Sequence, residues 1–162
     1  MRVPLQLCLL VLLVSPIALY AEGFQPYSQE VQYLKTMLEC PQEKVLSPMR
    51  GFGALYICTL SDSDSVKLFV SEKPNSDRVL NIGLLWNDKK NNIGYEIHAD
   101  LKEVEKTLNF LIDMYVPARR DEISKAFWDS KSLDFSTSDF FIYFTHKAGR
   151  QKDERLIVIE EK

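Results

Sequence analysis

The sequence predicts an α+β domain, with one antiparallel sheet of about six strands, an N-terminal helix and a central helix pair packed on the sheet. Four β-prone runs follow one another between residues 54 and 98 with short polar turns between them, a pattern typical of an antiparallel meander. Two other regions carry apolar residues at helical spacing. The chain closes with two further β-prone runs, which predict a C-terminal hairpin.

The N-terminal helix is predicted to begin at Ser28, a residue type that favours the N-cap, and to end near Cys40 and Pro41. Its apolar positions recur every three or four residues and therefore share one face. These positions are Val31, Leu34 and Leu38. Residues 41–53 contain two prolines and two glycines and are predicted to form a loop.

The meander is predicted to use residues 54–60, 66–71, 78–86 and 93–98. Its third strand is mostly apolar, so we expect that strand to be central. Asp100 is a favoured N-cap for the next helix, and Glu103 completes a variant of the capping box. Pro117 ends this helix, a second one covers residues 118–129, and residues 130–138 are predicted to form a polar loop.

The C-terminal hairpin is predicted from residues 140–145 and 155–160. Phe140, Ile142 and Phe144 point to one face of the first strand, and Phe141 and Tyr143 point to the other. One set belongs to the core. The second set is either covered by helices or exposed for binding, and we expect a sheet covered by helices.

Residues 1–21 have the build of a secretory signal peptide. A short positive start, Met1-Arg2, precedes an apolar run that Pro16 ends, and the small residue Ala21 lies before a polar stretch. The run is too short for a stable membrane span. We therefore expect cleavage near Ala21 and a single domain, residues 22–162, that is periplasmic or secreted.

Two cysteines, Cys40 and Cys58, remain after that cleavage. In an oxidising compartment a pair of cysteines most often forms a disulfide. Their spacing matches no zinc-binding pattern, and neither lies beside a histidine. No metal or other cofactor is expected. The net charge of −3 argues against nucleic acid as a partner, because such binding relies on neutralising phosphates.

Candidate chemistry centres on His98, which follows Glu96 and precedes Asp100. Histidine and carboxylate groups can act as metal ligands or as an acid–base pair. A polar strand end that leads into a helix cap explains the same residues more simply. His146, near the end of the fifth predicted strand, joins this cluster only if the two strands are neighbours.

Candidate binding residues are Trp86 and Tyr95, which flank the polar loop at residues 87–92. Aromatic rings with a polar tip are common in protein interfaces. Arg150 lies in the basic loop of the last hairpin. Such a loop can contact a partner, although it can equally protect an edge strand from aggregation.

The sequence favours a non-enzymatic exported domain that binds another protein, such as an inhibitor, immunity or accessory factor. It contains no nucleophile elbow, metalloprotease motif or phosphate-binding glycine loop. One alternative is a small hydrolase or metal-dependent enzyme that uses Glu96, His98 and Asp100. Another is a carrier with an apolar cavity between sheet and helices, whose predicted lining residues are Phe140, Ile142, Tyr115 and Trp128.

Overall fold

A computed structural model describes residues 23–89, 100–150 and 152–162, apart from the side chain of Lys89. It contains three α-helices and one sheet, so the predicted α+β class is confirmed. A 3₁₀ turn at Pro117–Arg119 leads into the third helix. The helices are α1 (Tyr27–Met37), α2 (Leu101–Tyr115) and α3 (Arg120–Trp128). The strands are β1 (Gln42–Leu46), β2 (Leu55–Thr59), β3 (Val66–Glu72), β4 (Val79–Lys89), β5 (Leu133–Ser136), β6 (Phe140–Lys147) and β7 (Lys152–Glu161).

The sheet has seven strands in the order β1-β2-β3-β4-β7-β6-β5, and all neighbours are antiparallel. The meander is formed by β1 to β4, and the C-terminal hairpin of β6 and β7 joins it at β4. Two strands, β1 and β5, lie where the sequence predicted loops. The strand predicted at residues 93–98 lies outside the described residues.

Alternating side chains divide the sheet into a covered face and an open face. The covered face packs against all three helices and forms the core together with them. Phe140, Ile142 and Phe144 lie on this covered face and are each no more than 1% exposed. Phe141 and Tyr143 lie on the open face, so the expected cover of helices over both sets is wrong.

Two predicted caps are made differently from the expectation. The first helix begins after Pro26 rather than at Ser28, and the Ser28 N–H donates to the Asp77 carboxylate at 2.9 Å. Asp100 does precede α2, but its side chain makes no cap hydrogen bond. Its carboxylate accepts hydrogen bonds from the hydroxyls of Ser63 and Ser65. It therefore joins the start of α2 to the turn between β2 and β3.

Candidate functional site

Exposed apolar side chains concentrate on the hairpin of β1 and β2. Val45 is 61% exposed, Met49 68% and Phe52 70%, and Leu46 is also exposed. Val45 pairs with Tyr56 and so points to the opposite side of β1 from Leu46. We call Leu46, Met49 and Phe52 the hairpin patch. A cluster of large apolar side chains in contact with water commonly marks a protein-binding surface.

The hairpin patch borders a cleft of about 350 Å³. One wall comes from the hairpin, and the other comes from β3, β4 and the turn between them. The large apolar residues that line it are Leu46, Met49, Phe52, Leu55, Pro74 and Leu80. Among the described residues that line the cleft, Glu72 is the one with an ionisable side chain. This volume is at the small end of the range for ligand sites, and it suits an anchoring side chain.

Several local contacts fix the position of the hairpin relative to its neighbours in the sheet. The Cys40–Cys58 disulfide, with the two Cα atoms 5.8 Å apart, ties Cys40, two residues before β1, to β2, so the predicted pairing is confirmed. The N–H of Ala54 donates to Glu72 Oε2 at 2.8 Å, and the N–H of Glu72 donates to the Ala54 carbonyl at 2.8 Å. Gly53 approaches the backbone of Glu72 so closely that a Cβ would lie 2.2 Å from the Glu72 carbonyl oxygen.

The tip of the hairpin is a tight turn. Met49 and Phe52 exchange backbone hydrogen bonds of 3.2 and 2.9 Å, and Gly51 between them adopts a φ of 84°. Only glycine reaches this left-handed region without strain. The turn therefore holds the Met49 and Phe52 side chains at fixed positions on its two arms.

The open face of the sheet continues from the cleft as an apolar row. The strand registers place one residue of each successive strand side by side across the sheet. The row runs through Ile57, Phe69, Gly83, Val158 and Tyr143. It spans four strand spacings, about 19 Å. The four side chains in it are half-buried, so the row extends the apolar surface without being fully exposed.

Two tyrosines near the hairpin lie in surroundings that disfavour ionisation of their phenol groups. Tyr56 belongs to β2 and is buried on the covered face, and burial, followed by the charge of Glu43, raises its pKa to about 12. The pKa of Tyr27 is raised by burial and by the charge of Glu72. Neither phenol is therefore suited to act as a base near neutral pH.

The predicted binding residues are spread over other parts of the molecule. Trp86 is 2% exposed and lies in the core, with its ring centroid 6.3 Å from that of Phe127. A partner would reach this ring only after rearrangement of the core. Arg150 is exposed in the turn between β6 and β7. Tyr95 and His98 lie outside the described residues.

His146 lies at the end of the sheet beside Arg155 of β7. Its Nε2 is 3.8 Å from Asp153 Oδ2. The Arg155 guanidinium lies over the Trp86 ring, 4.9 Å from its centroid. The structure thus brings two predicted residues, Trp86 and His146, to one row of the sheet, where the arginine separates them.

The predicted catalytic cluster is described only at Asp100, since Glu96 and His98 lie outside the described residues. The Asp100 carboxylate contacts Ser65, next to Val66, and the row from Val66 to His146 crosses three strand spacings. The backbones of Val66 and His146 are therefore about 14 Å apart across the sheet, and Asp100 contacts the Val66 end of this row. Within the described ranges, no three His, Cys, Asp or Glu side chains are grouped closely enough to hold a metal ion.

The carrier alternative places a cavity where the structure is packed. The rings of Tyr115 and Phe140 are 6.0 Å apart between centroids, and Phe24 packs against both. Ile142 is fully buried, and Trp128 packs edge-on against Phe127 at 5.1 Å. This packing counts against a ligand cavity at these four positions.

Sequence reasoning missed the hairpin patch because residues 41–53 contain turn residues at both ends. The signal that marks it is a short run, Gln42–Leu46, between two prolines, followed by Met49 and Phe52 at positions predicted to be loop. Large apolar residues in a predicted loop indicate either burial or binding. Only the structure shows that these remain exposed.

Comparisons with known proteins found no matching family model, no similar curated protein and no similar solved structure. None of the helices in the described part of the chain has the length and apolar character needed to cross a bilayer.

Proposed function

We propose that this protein is an exported, non-enzymatic domain that binds another protein through the hairpin patch. The observation that carries the proposal is the concentration of exposed apolar side chains on one hairpin. A periplasmic or secreted location, after cleavage near Ala21, is consistent with the Cys40–Cys58 disulfide, because such bonds persist in oxidising compartments. Inhibitors, immunity factors and accessory factors act by binding another protein.

The chemistry of the surface supports recognition rather than catalysis. The lining of the cleft offers apolar side chains and one carboxylate, Glu72, and contains neither histidine nor cysteine. A carboxylate that accepts a backbone hydrogen bond in a cleft wall is a structural contact. Large apolar anchors in a preformed cleft supply most of the binding energy in many protein interfaces.

The test is cross-linking of tagged Glu22–Lys162 in the native exported fraction, followed by mass spectrometry. We expect a dominant partner that is lost with Phe52→Ser, because this change removes an exposed anchor without disturbing the core. The matched control is Leu101→Ser, since Leu101 is also an exposed apolar residue, 37% exposed, but lies at the start of α2.

Loss of the partner in Phe52→Ser and its retention in Leu101→Ser would support the proposal. A partner that both variants retain, or both lose, would assign binding to another surface. Absence of any partner for the folded, oxidised protein would overturn the proposal and direct attention to the segment that contains Glu96 and His98.

A further inference from the structure

The strand at one edge of the sheet is open to the solvent along its whole length. Among the strands of the described residues, β1 pairs only with β2, and all five residues of β1 are exposed. The opposite edge differs, because β5 alternates between half-buried and exposed residues and Arg119 lies over its Phe135 ring at 4.6 Å. An edge strand with free backbone groups can accept an additional strand from another chain.

The position of the cleft matches such an addition. Leu46 ends β1 and also lines the cleft, so a chain that ran along β1 would pass the cleft at that end. In strand addition, backbone hydrogen bonds supply affinity and nearby pockets for alternate side chains supply specificity. The cleft can therefore take an apolar side chain of the added strand.

The charges around the hairpin patch indicate the kind of partner. Lys44 lies on β1, Arg50 at the tip of the hairpin and Lys73 beside the cleft, and all three are exposed. Their side chains form no ion pair or hydrogen bond within the described ranges. Glu43, the other charged residue of β1, forms an ion pair with Lys35 at 2.7 Å, and Glu72 in the cleft wall accepts a hydrogen bond from the Ala54 N–H at 2.8 Å and keeps its charge.

These three basic residues form a basic rim around the hairpin patch, although the whole chain has a net charge of −3. The basic rim favours acidic groups in the partner, because complementary charges across an interface raise the association rate and exclude wrong partners. It disfavours a second copy of this chain. A symmetric pairing centred on β1 would place the Lys44 side chains of the two copies close together.

We propose that β1 receives an extended, acidic and apolar segment of a partner protein as an additional strand, with one apolar side chain seated in the hairpin cleft. This inference rests on the proposed function and specifies how the same surface recognises its partner. Lys44 and Arg50 contact acidic side chains on either side of the seated residue.

The probe is a phage-displayed library of random peptides of about 12 residues, long enough to cover β1 and the cleft. The library is selected against oxidised Glu22–Lys162, and the enriched peptides are synthesised with a fluorescent label. We expect acidic and apolar residues in the enriched sequences. We expect Lys44→Glu to weaken their binding about tenfold, close to 1.4 kcal/mol.

The matched control is Lys125→Glu, which changes the net charge equally at an exposed position on α3. Binding to this variant should stay within about twofold of the unmodified protein, because charges far from a contact are screened by salt. Since Lys44 is exposed, the variant should keep the fold, and near-ultraviolet circular dichroism checks that it does. If Lys44 only protects the edge from aggregation, Lys44→Glu will leave peptide binding unchanged, which overturns the proposal.

The mode of binding is measured by amide hydrogen exchange with residue resolution. Addition of a strand should slow exchange at alternate amides of residues 42–46 and leave the amides of β5 unchanged. The proposal is overturned if bound peptides do not slow amide exchange in β1, or if the protein pairs β1 with the β1 of a second copy. It is also overturned if the enriched sequences are basic or if the library yields no enrichment. If Phe52→Ser loses the native partner while β1 shows no protection, the proposed function stands and strand addition fails.

Discussion

The two faces of the sheet use similar side chains for different purposes. On the covered face, Phe144 of β6 packs against Phe127 of α3, with ring centroids 5.2 Å apart, and each is no more than 1% exposed. On the open face, Phe141 is 36% exposed, and its ring centroid is 6.4 Å from that of Tyr143. Stability should therefore depend on the covered face, whereas partner contact is available on the open face and at the hairpin. Mutations can separate the two.

The largest effect is expected from Phe127→Ala in α3, whose ring packs against the covered face. It removes a ring that packs against Trp86, Trp128 and Phe144, so it should lower the free energy of unfolding by about 3–5 kcal/mol. Phe141→Ala on the open face should cost less than about 1 kcal/mol. Chemical denaturation of both variants measures the difference. Equal losses would mean that the open face is part of the core.

The second-largest effect on stability is expected from removal of the Cys40–Cys58 disulfide. Replacing both cysteines, with Cys40→Ser and Cys58→Ser, opens a loop with a sequence separation of 18 and should cost about 3 kcal/mol. A reducing agent should have the same effect on the unmodified protein and none on the double variant. If reduction leaves the denaturation midpoint of the unmodified protein in place, the disulfide does not stabilise the hairpin.

A third effect concerns the centre of the open face. The Phe69 ring lies over Gly83, and a Cβ there would lie 2.1 Å from the Phe69 Cζ. Gly83→Ala should therefore destabilise the protein by about 1 kcal/mol, because the ring must move. In a Phe69→Ala background the same change should be neutral or stabilising, since alanine suits a strand better than glycine. Chemical denaturation of the unmodified protein, the two single variants and the double variant measures these free energies of unfolding. If Gly83→Ala lowers the free energy of unfolding equally in both backgrounds, the contact between the Phe69 ring and position 83 is contradicted.

The smallest effect depends on pH and lies on the covered side. Burial raises the pKa of Glu30, although hydrogen bonds from Tyr115 and the Gln25 N–H oppose the shift. A carboxyl with a raised pKa in the folded state binds more protons when folded, so stability falls as the pH rises through the usual glutamate range. Glu30→Gln should remove this fall, and Tyr115→Phe should deepen it. Denaturation between about pH 4 and pH 7 measures the slopes, and equal slopes for the unmodified protein and Glu30→Gln would contradict the account.

Much of the fold could be predicted because patterns among neighbouring residues indicate many of its helices and strands. The helical spacing of Val31, Leu34 and Leu38 and the β-prone run at residues 140–145 each needed only neighbouring residues. β1 and β5 were missed because both are short and are flanked by polar or turn residues. Each pairs with the next strand along the chain, as Leu133 does with Phe144, but neither strand has an apolar alternation long enough to stand out from a loop.

The candidate site was harder to predict than the fold. Trp86 resembles a binding residue in the sequence because it precedes a polar loop, but strand pairing places it in the core beside Arg155. Phe52 resembles an ordinary loop residue and is among the most exposed apolar side chains described. Exposure depends on where the helices pack, and that is a property of the whole fold.

The most direct test of the open hairpin as the binding surface is site-specific photo-cross-linking in the native exported fraction. Benzoylphenylalanine replaces one residue at a time, Phe52 on the hairpin patch, Phe141 on the open face or Leu101 on α2. The account predicts a strong partner adduct from the position of Phe52 and none from that of Leu101. Adducts from Leu101 but not from Phe52 would contradict it.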